Sequence, residues 1–270
     1  MLYTIRTFPL EYRIEEAESC LVGIPWDSTE TGRPVRYGPL FIRQALRETP
    51  GFDPETGKTV FEGKFCDLGD IEVVPGNWTL TRERILDTLD FLFKANPRAF
   101  PLALGGDHLI TLAILEGLKK QHTAFSVIHF DAHADLSPDW MGEPFSHITW
   151  AFHARALGLD LAQVGVRSWT REEHEFLQQS KGAVKSLDQV RGPAYLTIDL
   201  DVLDPAFAPE VGTPEPLGMN PKEFFDSLKK ACALPLLGLD IVECASDRVG
   251  TPTAALAATI IKKVEAWRKR

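Results

Sequence analysis

The sequence is poor in cysteine and contains no long apolar segment. Its four cysteines (Cys20, Cys66, Cys232 and Cys244) form no CxxC pair, so a disulfide framework is not expected in a chain of 270 residues. No run of about 18 apolar residues is present, which argues against a membrane span. The first residues also lack the apolar core of a signal peptide. We therefore expect a cytoplasmic protein with reduced thiols and no membrane partner.

Positive charge is also scarce. The chain has 29 Lys and Arg against 38 Asp and Glu, which gives a formal net charge of -9 at pH 7. Nucleic acids attract clusters of Lys and Arg through their phosphates, so a nucleic-acid partner is not expected. An acidic protein agrees better with a neutral or cationic small molecule as its ligand.

Short apolar segments alternate with amphipathic ones along the chain. Strands are predicted at residues 19–24, 65–68, 100–104, 125–130, 161–166, 194–198 and 236–242. Helices are predicted at residues 80–94, 109–120, 150–156, 170–179 and 253–268, with two more opening at Gly38 and Pro221. This alternation predicts an α/β protein with a mainly parallel sheet and helices on both faces, in a single domain covering residues 1–270.

Acidic and histidine side chains alternate directly after the predicted strand at residues 125–130, in the segment Asp131-Ala132-His133-Ala134-Asp135. Side chains two positions apart in an extended segment point the same way, so Asp131 and His133 should share one side. Asp135 can join them if the chain curls. Carboxylates held this close resist joint ionisation unless a cation lies between them, and this ligand set suits manganese, iron, cobalt or zinc. A polar strand end without metal is the alternative interpretation.

Three other predicted strands also run into polar residues. They are followed by Gly105-Gly106-Asp107-His108, by Asp199-Leu200-Asp201 and by Glu243. The carboxyl ends of parallel strands meet at one edge of a sheet, where ligands bind, so the four segments can converge. The candidate metal ligands in this set are His108, Asp131, His133, Asp135, Asp199 and Asp201. Two divalent ions would neutralise the four carboxylates and lower the pKa of a shared water, which predicts metal-assisted hydrolysis.

These motifs resemble the signatures of the ureohydrolase family, which contains arginase, agmatinase and formiminoglutamase. The third of them continues as Asp199-Leu200-Asp201-Val202-Leu203-Asp204-Pro205, and the resemblance extends from Gly23 to Ala254. It implies a three-layer αβα fold with a mainly parallel sheet of roughly eight strands. It also implies two Mn²⁺ ions per chain, a trimeric or hexameric assembly, and hydrolysis of a guanidino compound to urea and an amine.

The resemblance assigns the ligands to two ions. One ion takes His108, Asp131, Asp135 and Asp199, and the other takes Asp131, His133, Asp199 and Asp201.

Two further positions match active-site residues of the family. Glu243 matches the glutamate that holds the substrate guanidinium. The charges agree with this match, since a neutralised metal cluster cannot attract a cation and a nearby carboxylate can. His147 matches the histidine that carries protons to the leaving amine, although Ile148 follows it where agmatinases have Gly. Together with the ligand Asp135, these are the predicted catalytic residues. Without the resemblance, Glu243 could be a surface or capping residue and His147 an ordinary loop histidine.

The remaining polar residues near the motifs are expected to be structural. His129 is expected to face the opposite side of its strand from Asp131. Asp107 is expected to orient His108 or brace its loop. Asp204 is expected to shape the loop that follows the third motif.

The predicted substrate is agmatine, cleaved to urea and putrescine in polyamine biosynthesis. The segments Gly23-Ile24-Pro25-Trp26-Asp27 and Asp204-Pro205-Ala206-Phe207-Ala208-Pro209 resemble the agmatinase branch. Ser137 stands where arginases usually carry an Asn that grips the substrate α-carboxylate. The alternatives are arginine, N1-aminopropylagmatine, guanidinobutyrate, guanidinopropionate and formiminoglutamate.

Two other classes of protein share this fold. A deacetylase would have the ligand set of a single metal, and a non-catalytic binding protein should have lost some ligands. The complete set of six ligands argues against both.

Overall fold

The structure centres on one twisted layer of parallel strands. The computed structural model describes residues 7–8, 10–29, 31–179 and 184–269. Within these residues the strands are β1 (Ser19–Ile24), β2 (Phe52–Asp53), β3 (Lys58–Thr59), β4 (Phe65–Asp70), β5 (Phe100–Gly105), β6 (Ser126–Phe130), β7 (Asp160–Val164), β8 (Val184–Lys185), β9 (Ala194–Asp199) and β10 (Leu236–Val242). Strands β2 and β3 form a small antiparallel hairpin, and the other eight form one sheet in the order β4-β1-β5-β10-β9-β6-β7-β8. Every pair of neighbours in this sheet is parallel.

Seven α-helices connect the strands in the described part of the chain. They are α1 (Gly38–Glu48), α2 (Trp78–Ala95), α3 (Ile110–Lys119), α4 (Trp150–Ala156), α5 (Arg171–Gln179), α6 (Pro221–Cys232) and α7 (Pro252–Trp267). The start of α6 shows how the sequence sets a boundary. Asn220 accepts a hydrogen bond from the backbone of Glu223, whose side chain bonds back to Asn220, and Pro221 takes the first turn. None of the described helices is both long and apolar enough to span a membrane.

The helices cover both faces of the sheet. One buried cluster contains side chains of α1, α6 and α7, such as Ile42, Phe224 and Ile260. The other contains side chains of α2, α3 and α4, such as Leu89 and Leu112. Each fully buried side chain of this kind contributes about 1.5–3 kcal/mol. The predicted three-layer αβα fold with a parallel sheet is therefore confirmed.

Most predicted elements are present with shifts of one or two residues. Residues 49–64, where the sequence predicts no strand or helix, contain the β2–β3 hairpin and a 3-10 helix at Val60–Glu62. Strand β8 was also not predicted. Strands of two residues carry no periodic signal in the sequence, since periodicity needs at least four positions or so to register.

Candidate metal centre and active site

The polar segments leave the sheet from four adjacent strands at its centre. Strands β5, β10, β9 and β6 lie side by side. Their carboxyl ends lead into His108, Glu243, Asp199 and Asp131 respectively. Because the strands are parallel, these ends lie at the same edge of the sheet. The structure thus brings the predicted segments together.

The backbone at the end of β5 passes unusually close to the loop after β1. The backbone N–H of Gly106 donates to the carbonyl of Ile24 at 2.9 Å, and that of Asp107 to the carbonyl of Trp26 at 2.8 Å. A Cβ on Gly106 would overlap the Trp26 carbonyl oxygen, so only glycine fits here. The Asp107 carboxylate accepts hydrogen bonds from the backbone and hydroxyl of Ser28, both at 2.8 Å. Asp107 therefore braces this loop, as expected.

A first group of ligand atoms surrounds His108. Its Nδ1 atom lies 3.0 Å from Asp131 Oδ2, 3.3 Å from Asp135 Oδ2 and 3.4 Å from Asp199 Oδ2. All four residues are buried. The Nδ1 atom has no hydrogen-bond partner among the described residues, although three carboxylate oxygens face it. An unpaired buried nitrogen beside converging oxygens is the arrangement expected where a cation binds.

A second group lies on the other side of Asp131. His133 Nδ1 is 2.9 Å from Asp201 Oδ2 and 3.5 Å from Asp131 Oδ1. Asp131 thus directs Oδ2 toward His108 and Oδ1 toward His133. The side chain of His133 is partly exposed, whereas those of Asp131 and Asp201 are buried.

The carboxylates of both groups are not neutralised by the positive charge around them. Burial, followed by the charges of Asp201 and Asp131, raises the pKa of Asp199 well above its usual range. Burial and the charge of Asp131 likewise raise the pKa of Asp201. Burial alone would raise the pKa of Asp131 too, but the neighbouring histidines, His129 first, outweigh it and hold that pKa well below its usual range. Divalent cations would relieve this repulsion. The donor set and the orphaned His108 nitrogen therefore fit two such ions.

A buried hydrogen-bond network fixes the orientation of His108. Its Nε2 atom lies 2.8 Å from the hydroxyl of Thr197, which donates to Asp240 at 2.5 Å. Tyr195 and Thr111 also donate to the Asp240 carboxylate, at 2.8 and 2.9 Å. The Thr197 hydroxyl donates its hydrogen to Asp240, so it accepts the Nε2–H of His108, and Nδ1 is left as the nitrogen that faces the carboxylates and is available to a cation. The network was not predicted, although Thr197 stands two positions before Asp199 on β9.

Asp135 is held in place by its backbone and by Trp150. Its φ of 54° lies in the left-handed region, which turns the chain so that the carboxylate joins the first group. The indole Nε1–H of Trp150 donates to Asp135 Oδ2 at 2.7 Å. The same indole stacks on the His108 ring, with centroids 4.6 Å apart. Glu173, from α5, accepts the backbone N–H of Leu136 at 2.8 Å and secures the turn from the other side.

Arg167 ties together the loops that flank Asp201. Its five guanidinium N–H groups donate, at 2.6–3.3 Å, to the carbonyls of Gly165, Asp201, Val202, Glu215 and Pro216. Asp204 fixes the same region by accepting the backbone N–H groups of Ala206 and Gly218, which agrees with its expected role in the loop.

Glu243 follows β10 in a left-handed conformation, with a φ of 63°. Its Oε1 accepts the backbone N–H of His108 at 3.1 Å. A Cβ at Gly212 would collide with Oε2, so a glycine at that position leaves room for the carboxylate. Burial, followed by the charges of Asp199 and Asp107, raises the pKa of Glu243 well above its usual range. Non-glycine residues in the left-handed region cost about 1–3 kcal/mol each and cluster at functional sites.

A cavity of about 430 Å³ opens over both groups. It is lined by Thr31, His108, His133, Asp135, Trp140, His147, Ile148, Asp199, Asp201, Thr213 and Glu243. His147 reaches it from a short turn, in which the backbone N–H of Ser146 donates to the Thr149 hydroxyl and the Thr149 N–H donates to the Ser146 carbonyl. Ile148 is not among the described non-glycine residues with positive φ, so the turn does not require glycine there.

The expectation for His129 was wrong. Its Nε2 lies 2.6 Å from Asp131 Oδ2, and its ring is fully buried beside His108 and Trp150. His129 and Asp131 are two positions apart, so they share a face of β6, by the same rule that pairs Asp131 with His133.

The chain is similar to known enzymes over nearly its full length. A model described as the arginase family matches residues 17–265. The N(1)-aminopropylagmatine ureohydrolase of Thermococcus kodakarensis is 35% identical, with 96% of this chain and 95% of that protein aligned. The agmatinase of Pyrococcus horikoshii is 32% identical, with 97% and 96% aligned. The agmatine ureohydrolase structure of Thermoplasma volcanium has a TM-score of 0.85 at 27% identity, covering 99% of this chain and 94% of that one. The chain thus belongs to the arginase family and is a hydrolase of the ureohydrolase type.

Proposed function

We propose that the protein is a binuclear manganese enzyme that hydrolyses agmatine to urea and putrescine. One observation carries the proposal. Two histidine–carboxylate groups share Asp131, and the buried Glu243 lies in the same cavity. This combination offers two cation sites beside an anionic group for a guanidinium.

The ligands proposed for the first ion are those of the first group, and those proposed for the second ion are the second group together with Asp199, which the family resemblance adds. One ion would be held by His108, Asp131, Asp135 and Asp199, and the other by Asp131, His133, Asp199 and Asp201. Four carboxylates and two imidazoles form an oxygen-rich donor set, which suits manganese. When bound, two such ions supply Lewis acidity and lower the pKa of water toward about 7.

Glu243 and His147 would handle the substrate. We assign to Glu243 a charge-assisted pair with the guanidinium, which would hold the central carbon in the cavity beside the candidate metal ligands. The reaction forms a carbon–oxygen bond to water and breaks the bond from that carbon to the substituted nitrogen. The products are urea and a primary amine, which must gain a proton as it leaves. His147 Nδ1 contacts the Ser146 hydroxyl at 3.1 Å, which directs Nε2 as the nitrogen that delivers this proton.

The cavity lining supports a substrate without a carboxylate. None of the described residues that line it is Lys or Arg. Ser137, at the position where arginases usually carry Asn, is buried and lies outside the lining. N1-aminopropylagmatine is the second candidate, because the relative from T. kodakarensis is named for that substrate.

Urea release should be much faster from agmatine or its aminopropyl derivative than from arginine. We expect a kcat/KM ratio of at least about tenfold, which corresponds to about 1.4 kcal/mol. Manganese-loaded protein would be assayed with agmatine, N1-aminopropylagmatine, guanidinobutyrate and arginine, alone and in competition. Chelated protein serves as the control for background urea. A tenfold preference for arginine would contradict the substrate assignment, and no urea from any of the four would contradict the proposed function.

Metal uptake should release protons and strengthen as pH rises. Burial lowers the pKa of His133, but hydrogen bonds to Asp131 and Asp201 outweigh it and raise that pKa to about 12. The pKa of His108 is also raised, since Asp131 and other carboxylates outweigh its burial. Metal-free protein therefore holds protons on both rings at neutral pH, and incoming ions must displace them.

Titration of metal-free protein with Mn²⁺ checks this expectation. Calorimetry in two buffers of different ionisation enthalpy should show two ions bound per chain with net proton release. Elemental analysis that finds one ion or fewer in fully active protein would rule out the binuclear centre.

We also propose, from the family resemblance, that residues 1–270 form one domain that assembles into trimers or hexamers. Size-exclusion chromatography with light scattering would measure the molar mass of the protein and distinguish these assemblies from a monomer.

A further inference from the structure

His129 is a buried histidine beside the site that is not one of the six candidate metal ligands. Its Nε2 lies 2.6 Å from Asp131 Oδ2, the oxygen that is 3.0 Å from His108 Nδ1. Its Nδ1 lies 3.1 Å from the side-chain amide nitrogen of Gln163, on β7. Both ring nitrogens therefore have polar partners in a fully buried position.

The hydrogen positions in this chain of contacts follow from one backbone carbonyl. The amide nitrogen of Gln163 lies 2.7 Å from the carbonyl oxygen of Ala134. A carbonyl only accepts, so the amide nitrogen rather than the amide oxygen faces it. The second N–H of the same amide is then available to donate to His129 Nδ1. Consequently Nδ1 carries the lone pair, and Nε2 carries the proton that His129 donates to Asp131.

This bond determines how Asp131 presents its oxygens. The backbone N–H of His133 donates to Oδ1 at 2.6 Å, and His129 donates to Oδ2. Each oxygen thus has one lone pair engaged by the protein, which fixes the plane of the carboxylate. The remaining lone pair of Oδ2 is left for the group of atoms around His108, and that of Oδ1 for the group around His133.

The imidazole ring cannot rotate easily away from this bond. It meets the Trp150 indole edge-on, with ring centroids 4.7 Å apart and planes at 74°. It meets the His108 ring in the same manner at 5.0 Å and 79°. With a proton on Nε2 and the Gln163 amide at Nδ1, neither nitrogen offers a lone pair to a metal.

We propose that His129 is a positioning residue for the ion held with His108, and that Gln163 and the Ala134 carbonyl fix its tautomer. It acts through Asp131, whose Oδ2 it aims at that ion. The inference rests on the proposed metal centre. Partners of this kind that orient metal ligands affect metal affinity by about 10–100-fold.

Two substitutions of His129 separate its hydrogen bond from its packing. His129→Leu removes the donor, and His129→Gln places an amide N–H near the position of Nε2. We expect the leucine variant to bind one of two Mn²⁺ ions about 10–100-fold more weakly. Its electron paramagnetic resonance spectrum should lose the signal of a coupled manganese pair. The glutamine variant should bind both ions within a few-fold of the wild type. The melting temperature of each metal-free variant reports any loss of folding.

The results distinguish the inference from the proposed function. Wild-type protein that binds fewer than two ions would overturn the metal centre and the inference with it. Wild-type protein with two ions and a leucine variant of equal affinity would overturn the inference alone. Equal losses of Mn²⁺ affinity in the leucine and glutamine variants would show that His129 only fills space, and would also overturn the inference.

The tautomer of His129 provides a second test, which remains possible if the leucine variant does not fold. Long-range proton–nitrogen NMR of histidine side chains in the metal-free protein should find the proton of His129 on Nε2. In Gln163→Leu the donor to Nδ1 is gone, so the ring of His129 should be held less firmly and Mn²⁺ affinity should fall. A proton on Nδ1 in the wild type would overturn the inference.

Discussion

Glu243→Gln is expected to lower kcat/KM by about 10²–10³-fold while both metal ions stay bound. The substitution keeps the shape of the side chain and removes its charge. The buried carboxylate contacts the backbone N–H of His108, and an amide oxygen can accept that bond equally well. The amide cannot pair with a guanidinium as a full anion. It also cannot strengthen that pair as charge develops in the transition state.

The surroundings of Glu243 make this effect larger than a surface ion pair would give. Burial and nearby carboxylates raise its pKa, so the ionised form is costly until cations arrive. Bound metal ions and the substrate guanidinium would both supply positive charge, and the pair would then form away from water, where it is strong.

Steady-state kinetics with elemental analysis would test the expectation. Glu83→Gln, an exposed position on α2, is the matched control and should behave as the wild type. The assignment of Glu243 to the guanidinium would be wrong if the variant lost its metals or kept near-normal kcat/KM.

His147→Asn is expected to lower kcat by about 10²–10⁴-fold with a smaller effect on substrate binding. The asparagine amide can replace Nδ1 in its contact with Ser146, so the turn should persist. It cannot replace Nε2, which we assign to protonation of the leaving amine. Because the bonds between Ser146 and Thr149 hold the turn independently, the metal content should not change.

Single-turnover kinetics would separate the chemical step from product release. Added imidazole should restore part of the lost rate, since a small base can enter the space left by the ring. His122→Asn is the matched control, because His122 follows α3 and lies outside the lining of the cavity. An unchanged kcat in His147→Asn, or a loss accompanied by loss of metal, would remove His147 from the proton-transfer role.

The sequence predicts the layered fold and the meeting of the candidate ligands. Both depend on local signals, namely apolar strands of ordinary length and polar residues directly after them. The order of the strands was not predictable from the same signals. That β10 lies between β5 and β9 depends on packing across the whole sheet.

The parts of the site that were missed depend on contacts between distant segments. The bond from Trp150 to Asp135 requires α4 to pack over the second motif, and the bond from Thr197 to Asp240 requires β9 beside β10. His129 is different, because the two-residue period of a strand does place it beside Asp131. Its position could have been found from the sequence by applying that period backwards from Asp131 as well as forwards.

The strand order also bears on how the protein is made. Strand β10 is the last of the described strands to leave the ribosome, yet it fills the centre of the sheet. Until residues 236–242 arrive, β5 and β9 have no partner on the facing side, and each nascent chain exposes two open strand edges. Such edges readily pair with other chains, so a translating or truncated molecule is prone to aggregate. Glu243 follows β10 directly, so the proposed metal centre and the carboxylate proposed to bind the substrate cannot come together before nearly all of the described chain has emerged.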